Sequence, residues 1–251
     1  MIKLKKNSFK ESPRILVSFK TINEISDACL NYVDIFDLKD PNKGAIGCWE
    51  IEKIKKVVTK FGKKIEISAT LGDENQFEVI LNKLKLFDVL KLDYIKFGVF
   101  VENTNDLLNL LKGIFNLNLR TELVPVIFAE NIFMKNYLEK NIKEFKKLGF
   151  NYLLLDTYLK KSGDIFKLCS NIYLKKILLE SIKINLNIGI AGKLNQNNIS
   201  QIIELQPQII GFRSAVCKDG DRNSEFCFKK LKKLHQSIFS FSKHAILNAG
   251  A

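Results

Sequence analysis

The sequence predicts an α/β fold in which eight short apolar strands alternate with eight helical segments. This order of elements is the pattern of a parallel sheet whose strands are joined by helices. Eight such units within 251 residues match the size of a closed barrel. The rival is an open doubly wound sheet, but its usual sign, G-x-G-x-x-G after the first strand, is absent. We therefore expect a single-domain (β/α)8 TIM barrel.

The elements are assigned in chain order from the apolar runs and from the helical spacing between them. The predicted strands cover 14–18, 33–39, 65–70, 94–99, 122–128, 152–156, 186–191 and 208–213. The predicted helices cover 22–30, 49–61, 76–90, 105–115, 132–148, a region ending near 183, 197–205 and 224–241. The predicted organisation is an N-terminal extension (1–13), the barrel (14–241) and a C-terminal tail (242–251), with no Gly-, Pro- or Ser-rich linker to separate a second domain.

Composition places the chain among globular proteins, with 46% hydrophobic residues and a mean hydropathy of −0.02. No apolar run approaches the roughly 20 residues that span a bilayer, and the basic N-terminus lacks the apolar segment of a secretory signal. Five scattered cysteines without a Cys-x-x-Cys pair are typical of a reducing compartment. We expect a cytoplasmic protein with no membrane partner.

The histidines, two in all, lie near the C-terminus, at His235 and His244. A histidine-ligated metal or a Ser/His/Asp triad in the core is therefore not expected, and neither is a zinc site. General acid–base catalysis would therefore use Lys, Asp, Glu or Tyr side chains.

The formal net charge of +13 raises the question of nucleic-acid binding. Of the 40 basic residues only four are arginine, and the lysines are spread over nearly every predicted helix. We interpret this charge as solvated helix faces that help attract small anionic substrates, and we expect no nucleic-acid partner. The sequence is compatible with either a monomer or a homo-oligomer.

Polar side chains follow nearly every predicted strand, where a barrel places its chemistry. The segment VDIFDLKDPNKGAIG (33–47) illustrates this, because its strand ends in Asp37 and Lys39 on the face that begins with Val33. Lys96 and Asp156 end two other strands, and Lys160 follows four residues after Asp156. Taken alone, each motif is also compatible with an ion pair on the surface. Taken together, they predict a single polar rim formed by the carboxyl ends of the strands.

An amine attacks a carbonyl only when it is neutral, and burial together with nearby cations lowers its pKa. The rim lysines Lys39, Lys96 and Lys160 meet that condition. The hypothesis is a Schiff base on Lys39 or Lys96, with the other lysine transferring protons and with Asp37 and Asp156 holding the amines. The position of Lys160 is also compatible with a solvated lysine that has no catalytic role.

The ends of the last two strands predict a phosphate site, the common position for one in a barrel. Gly192 and Gly211 let backbone N–H groups approach an anion, and Arg213 can bind it bidentately. Lys193 and Ser214 complete the predicted phosphate-binding set. The aromatic residues, in contrast, have core spacing and are expected to serve packing.

Six segments taken together resemble the (5-formylfuran-3-yl)methyl phosphate synthase family, the furan-forming enzymes of methanofuran biosynthesis. The segments are DLKDPNKGAIG (37–47), ISATLGD (67–73), YIKFGVF (94–100), LLLDTYLK (153–160), GIAGKL (189–194) and IIGFRSAVCKDGDRN (209–223). The similarity runs in order from residue 14 to about residue 239. Lys193 and Ser214 depart from the family pattern, which has a small residue and a glycine there.

The resemblance implies a TIM-barrel lyase that condenses two molecules of glyceraldehyde 3-phosphate into 4-(hydroxymethyl)-2-furancarboxaldehyde phosphate, with loss of phosphate and water. It implies a Schiff base on Lys39 and proton transfer by Lys96, with Asp37, Asp156 and Lys160 as supporting residues. The implied partner is a triose phosphate substrate, and no metal or other cofactor is required. The alternatives are a Schiff-base aldolase acting on phosphorylated sugars and, from another class, a basic nucleic-acid-binding protein.

Overall fold

The computed structural model describes residues 12–159 and 161–249. Within them, eight parallel strands form a closed barrel, and each strand pairs with its neighbours in the chain and the last pairs with the first. The strands are β1 (Arg14–Phe19), β2 (Ile35–Leu38), β3 (Glu66–Thr70), β4 (Tyr94–Gly98), β5 (Glu122–Phe128), β6 (Tyr152–Asp156), β7 (Asn187–Ile190) and β8 (Ile209–Phe212). The predicted TIM barrel is confirmed.

Helices surround this barrel. They are α1 (Ile51–Phe61), α2 (Phe77–Asp88), α3 (Thr104–Phe115), α4 (Ile132–Lys147), α5 (Ile165–Leu168), α6 (Asn171–Lys183), α7 (Ile199–Glu204) and α8 (Phe228–Ala249). Each strand is buried on both faces, because the outward face packs against helices and the inward face fills the barrel.

Two predicted elements differ from the structure. The helix expected at 22–30 is replaced by two 3₁₀ turns, Ile22–Glu24 and Asp27–Asn31. Ile25 breaks the helix with an extended backbone, and Ser26 and Asp27 belong to residue types that favour turns over helix interiors. At the other end, α8 continues to Ala249, so the predicted barrel boundary at residue 241 falls inside this helix. Most of the predicted extension, residues 1–11, lies outside the described residues.

The inward face of the barrel divides into an apolar middle and a polar upper end. The middle contains a cluster of apolar side chains that includes Leu16, Ile35, Val124, Leu154 and Ile209. Above it, toward the carboxyl ends of the strands, the inward side chains become hydroxyls, carboxylates and amines. The sequence therefore places its buried charges at the end of the barrel that carries the strand-to-helix loops.

The opposite end of the barrel is closed by a different polar group. Arg14 forms an ion pair with Glu66, and the Tyr94 hydroxyl donates to the same carboxylate at 2.8 Å. This pairing accounts for Glu66, whose inward position on β3 is otherwise a carboxylate inside an apolar barrel.

In the part of the chain that the structure describes, no helix combines the length and the apolar character needed to cross a bilayer.

Candidate active site

Strand register brings Asp37 between two hydroxyls at the upper end of the barrel. Asp37 on β2 is paired with Ser18 on β1 and with Ser68 on β3. The Ser18 hydroxyl donates to Asp37 Oδ2 and the Ser68 hydroxyl to Asp37 Oδ1, both at 2.6 Å. Because alternate residues of each strand face inward, all three side chains meet inside the barrel.

Lys96 on β4 completes this buried group. Its Nζ lies 2.5 Å from Asp37 Oδ1, and the two side chains are 3% and 0% exposed. Burial lowers the pKa of Lys96, and the charge of Lys39 lowers it further, against the opposing charge of Asp37. Burial would raise the pKa of Asp37, but Lys96, Lys39 and the Ser18 hydroxyl lower it below its usual value. The pair therefore holds an ionised carboxylate beside an amine that releases its proton more easily than usual.

Lys39 and Asp156 form a second, looser pair at the same end. Lys39 directly follows β2, and its Nζ lies 3.5 Å from Asp156 Oδ2 at the end of β6. The other oxygen of Asp156 accepts the backbone N–H of Thr157 at 2.7 Å, which fixes the carboxylate. The structure thus brings together four of the five predicted catalytic residues. The fifth, Lys160, lies outside the described residues.

The loop after Lys39 is held by two carboxylates. Asp40 accepts from the N–H of residue 42 and caps the 3₁₀ turn Pro41–Lys43. Asp73, beyond β3, accepts the N–H groups of residues 45–46 at 2.9 and 2.8 Å. Gly44 has φ +121°, and a Cβ there would lie 2.2 Å from the Asp73 carboxylate. The motif 37–47 needs its glycine at this position for both reasons.

Most of the predicted phosphate-binding residues lie at the ends of two adjacent strands, β7 and β8. Gly192 follows β7 with φ +100°, and Lys193 follows it with φ +54° and an exposed side chain. Gly211 on β8 packs against Ala191. Ser214 begins a 3₁₀ turn after β8 and is half-buried. Of these residues, Gly192 and Lys193 have the left-handed backbone that forms turns with exposed N–H groups.

Arg213 belongs to the same segment, but its guanidinium is already occupied. It forms a bidentate pair with Glu24, at 2.6 and 3.0 Å, and donates to the backbone oxygens of Ser18, Arg222 and Ser224. All five of its N–H groups are thereby used within the protein. The expected bidentate phosphate contact is corrected to a structural role, in which Arg213 joins the loop after β8 to the first 3₁₀ turn.

The expectation that the aromatic residues serve packing holds for Phe36 and Phe61, which are fully buried. It also holds for Phe128, which is buried in the inner apolar cluster, and for Phe100, which packs against that cluster. The spacing did not predict that the rings of Phe100, Phe128 and Tyr158 contact one another at the end of the barrel that carries the amines. The available signal was parity, because Phe128 shares the inward face of its strand with Val124 and Val126.

Two solved enzymes have a fold similar to that of this chain. Phosphoribosyl anthranilate isomerase from Thermus thermophilus aligns with a TM-score of 0.62 and 14% identity, over 90% of this chain and 98% of that one. 3-Hexulose-6-phosphate synthase from Salmonella typhimurium aligns with a TM-score of 0.59 and 12% identity, over 91% and 99%. These likenesses concern the fold.

Sequence comparison is more specific. The (5-formylfuran-3-yl)methyl phosphate synthase of Archaeoglobus fulgidus is 27% identical over 235 residues, which cover 90% of this chain and 99% of that protein. The protein of the same name from Methanocaldococcus jannaschii is 27% identical over 229 residues, covering 87% and 96%. The profile of the 4-HFC-P synthase family matches residues 15–235. The resemblance found in the motifs is confirmed, and the chain belongs to the 4-HFC-P synthase family.

Proposed function

We propose that this protein is a cytoplasmic lyase of methanofuran biosynthesis that works through a lysine Schiff base. It condenses two molecules of glyceraldehyde 3-phosphate into 4-(hydroxymethyl)-2-furancarboxaldehyde phosphate, with loss of phosphate and water. The observation that carries the proposal is the pair of amine–carboxylate contacts at one end of the barrel, Lys96 with Asp37 and Lys39 with Asp156. Membership of the family and the names of the relatives support the same reaction.

Lys39 is the proposed nucleophile. Its side chain is 10% exposed, against 3% for Lys96, and its amine lies 3.5 Å from its carboxylate instead of 2.5 Å. An aldehyde that enters at the carboxyl ends of the strands therefore reaches Lys39 with less disruption of buried contacts than it would cause at Lys96. Attack by its Nζ and loss of water give an iminium, which makes the neighbouring C–H acidic.

Lys96 is the proposed proton carrier. Burial lowers its pKa, so the neutral amine can take the acidic proton and the ammonium can return it, with Asp37 stabilising the charged form. Carbon–carbon bond formation between this enamine and the second triose phosphate then joins the two three-carbon units. Phosphate elimination, ring closure and dehydration then yield the furan. Asp156 holds the Lys39 amine in place, and Lys160 is proposed as a further supporting residue.

The triose phosphate group is proposed to bind at the ends of β7 and β8. Gly192, Gly211 and Ser214 would supply backbone and hydroxyl donors, and Lys193 a positive charge. Arg213 is left out of this set because its donors are used within the protein.

Borohydride trapping tests the proposal. Glyceraldehyde 3-phosphate with borohydride is expected to add a triose-derived mass to the peptide that contains Lys39. The Lys39→Ala variant is expected to lose this adduct, whereas Lys96→Ala keeps it but forms no furan. Lys43→Ala is the matched control, because Lys43 lies in the same loop and is half-exposed. Labelling confined to another lysine would overturn the assignment.

The same amine pair would also serve a Schiff-base aldolase, and the product separates the two reactions. A furan aldehyde is conjugated and absorbs in the near ultraviolet, whereas an aldol product of two trioses does not. Trapping at Lys39 without a rise in that absorbance would favour the aldolase.

A further inference from the structure

Three aromatic side chains, Phe100, Phe128 and Tyr158, form what we call the aromatic wall. The rings of Phe100 and Phe128 are stacked, with centroids 5.1 Å apart and planes 26° apart. Tyr158 meets both rings edge-on, at 5.5 and 5.3 Å. Phe128 is buried, Phe100 is half-buried and Tyr158 is 38% exposed. The wall therefore runs from the barrel interior to its open end.

Gly98 is what allows Phe100 to join this wall. A Cβ at Gly98 would lie 2.3 Å from Cε2 of Phe100 and 3.1 Å from Cδ1 of Ile46. Gly98 faces inward two positions after Lys96 on the same strand. The missing side chain thus leaves room for an aromatic ring directly above the proposed proton carrier.

Tyr158 is held through its backbone and through the contacts of its ring with Phe100 and Phe128. The Glu130 carboxylate accepts its backbone N–H at 2.9 Å and also that of Leu159 at 2.8 Å. Partial burial and the negative charge of Asp73 raise the pKa of the Tyr158 hydroxyl above its ordinary value. A ring held in this way loses little conformational freedom when a ligand stacks on it.

The wall also adjoins the proposed nucleophile. Phe128 is paired with Asp156 across β5 and β6. Asp156 in turn lies 3.5 Å from the Lys39 amine. An intermediate attached to Lys39 would therefore lie near the strand ends that carry Asp156 and Phe128.

We propose that the aromatic wall binds the planar furan ring as it forms and so determines specificity for the ring-closed, dehydrated product. This inference rests on the proposed function. Triose phosphates are saturated apart from their carbonyl and offer no ring face, whereas each dehydration makes the intermediate flatter and more conjugated. Aromatic faces and edges attract such a ring. Contacts that strengthen late in the reaction favour dehydration over release of an open-chain aldol.

Equilibrium binding of two phosphate monoesters tests the wall. Furfuryl phosphate carries a furan ring and no carbonyl, and glycerol 3-phosphate is a saturated ligand with the same charged group. Phe100→Leu and Tyr158→Leu are each expected to weaken furfuryl phosphate about five- to tenfold. Both variants should bind glycerol 3-phosphate within about twofold of the unchanged protein. Tyr158→Phe, which keeps the ring, should lose less than Tyr158→Leu.

Phe115→Leu is the matched control, because Phe115 is an exposed aromatic residue at the end of α3. It should leave both affinities unchanged. Unchanged binding of furfuryl phosphate in both leucine variants would overturn the proposal, as would equal losses for the two ligands. Because furfuryl phosphate cannot form a Schiff base, this test reports on the wall even if borohydride trapping at Lys39 fails.

Discussion

The amine of Lys96 lies 2.5 Å from Asp37 Oδ1 inside the barrel, and both side chains are withdrawn from solvent. Two hydroxyls donate to the same carboxylate. An ion pair buried this deeply must be fully satisfied, because each charge alone has lost its hydration. The pair is therefore at once the proposed proton-transfer group and a determinant of stability.

Asp37→Ala is expected to lower the free energy of unfolding by about 3–5 kcal/mol, since it leaves the Lys96 amine buried without its partner. The double variant Asp37→Asn/Lys96→Met should recover much of this loss while staying inactive. Urea denaturation measures both effects. Glu50→Ala breaks an exposed pair with Lys53 and should change the free energy of unfolding far less, because solvent screens such a pair. A loss for Asp37→Ala no larger than that of the control would contradict the prediction.

Ser18→Ala is expected to weaken the dependence of stability on acid pH. The folded protein lowers the pKa of Asp37 below its usual 3.8, so its ionised form contributes stability above that pH, and this contribution is lost as the pH falls toward the folded value. Without the Ser18 hydroxyl the folded pKa rises, and the contribution shrinks.

Urea midpoints between about pH 6 and pH 2.5 should therefore fall less steeply for Ser18→Ala than for the unchanged protein. Thr59→Ala removes an exposed hydroxyl bonded to a helix carbonyl and should leave the slope as it is. Parallel curves for the unchanged protein and Ser18→Ala would show that the hydroxyl does not set the pKa of Asp37.

Gly44→Ala is expected to disturb the loop that follows Lys39. The new Cβ would meet the Asp73 carboxylate, and the backbone conformation is one that L residues rarely adopt. We expect a loss of about 1–3 kcal/mol in the free energy of unfolding, together with a loss of furan formation. Activity assays and urea denaturation check the two effects.

Gly220→Ala supplies the comparison, because Gly220 also has a positive φ but nothing lies within 4 Å of its Cβ position. It should cost about 1–2 kcal/mol and keep full activity. Equal effects of the two substitutions on activity would mean that contact with Asp73 is unimportant.

Arg213→Ala and Glu24→Ala are expected to destabilise the protein by similar amounts, about 3–5 kcal/mol, because each leaves the other charge buried and unpaired. Arg213→Lys should not restore stability, since an ammonium cannot replace five fixed donors. Thermal or urea denaturation measures this. An Arg213→Ala variant of normal stability whose KM for triose phosphate rises would instead restore Arg213 to the phosphate site.

Much of the barrel follows from local patterns that the sequence displays. Apolar runs alternating with helical spacing predict the βα units, and strand parity places Asp37, Lys96 and Asp156 on inward faces. The helix expected at 22–30 was wrong because Ile25 is extended and the chain there turns twice. Glu24 in that segment forms an ion pair with Arg213, almost 190 residues later in the chain. The reason for the local break therefore lies in tertiary structure.

By itself the sequence determined the fold class, the family and the end of the barrel at which the amines lie, because each of these depends on periodicity or on contiguous motifs. Tertiary structure alone decided which lysine lies beside which carboxylate and that the guanidinium of Arg213 is paired with Glu24. It also decided that the rings of Phe100, Phe128 and Tyr158 are in contact. Those outcomes depend on how strands are staggered around a closed cylinder and on how loops cross its end. Residues far apart in the chain become neighbours there, and no local pattern records the distance between them.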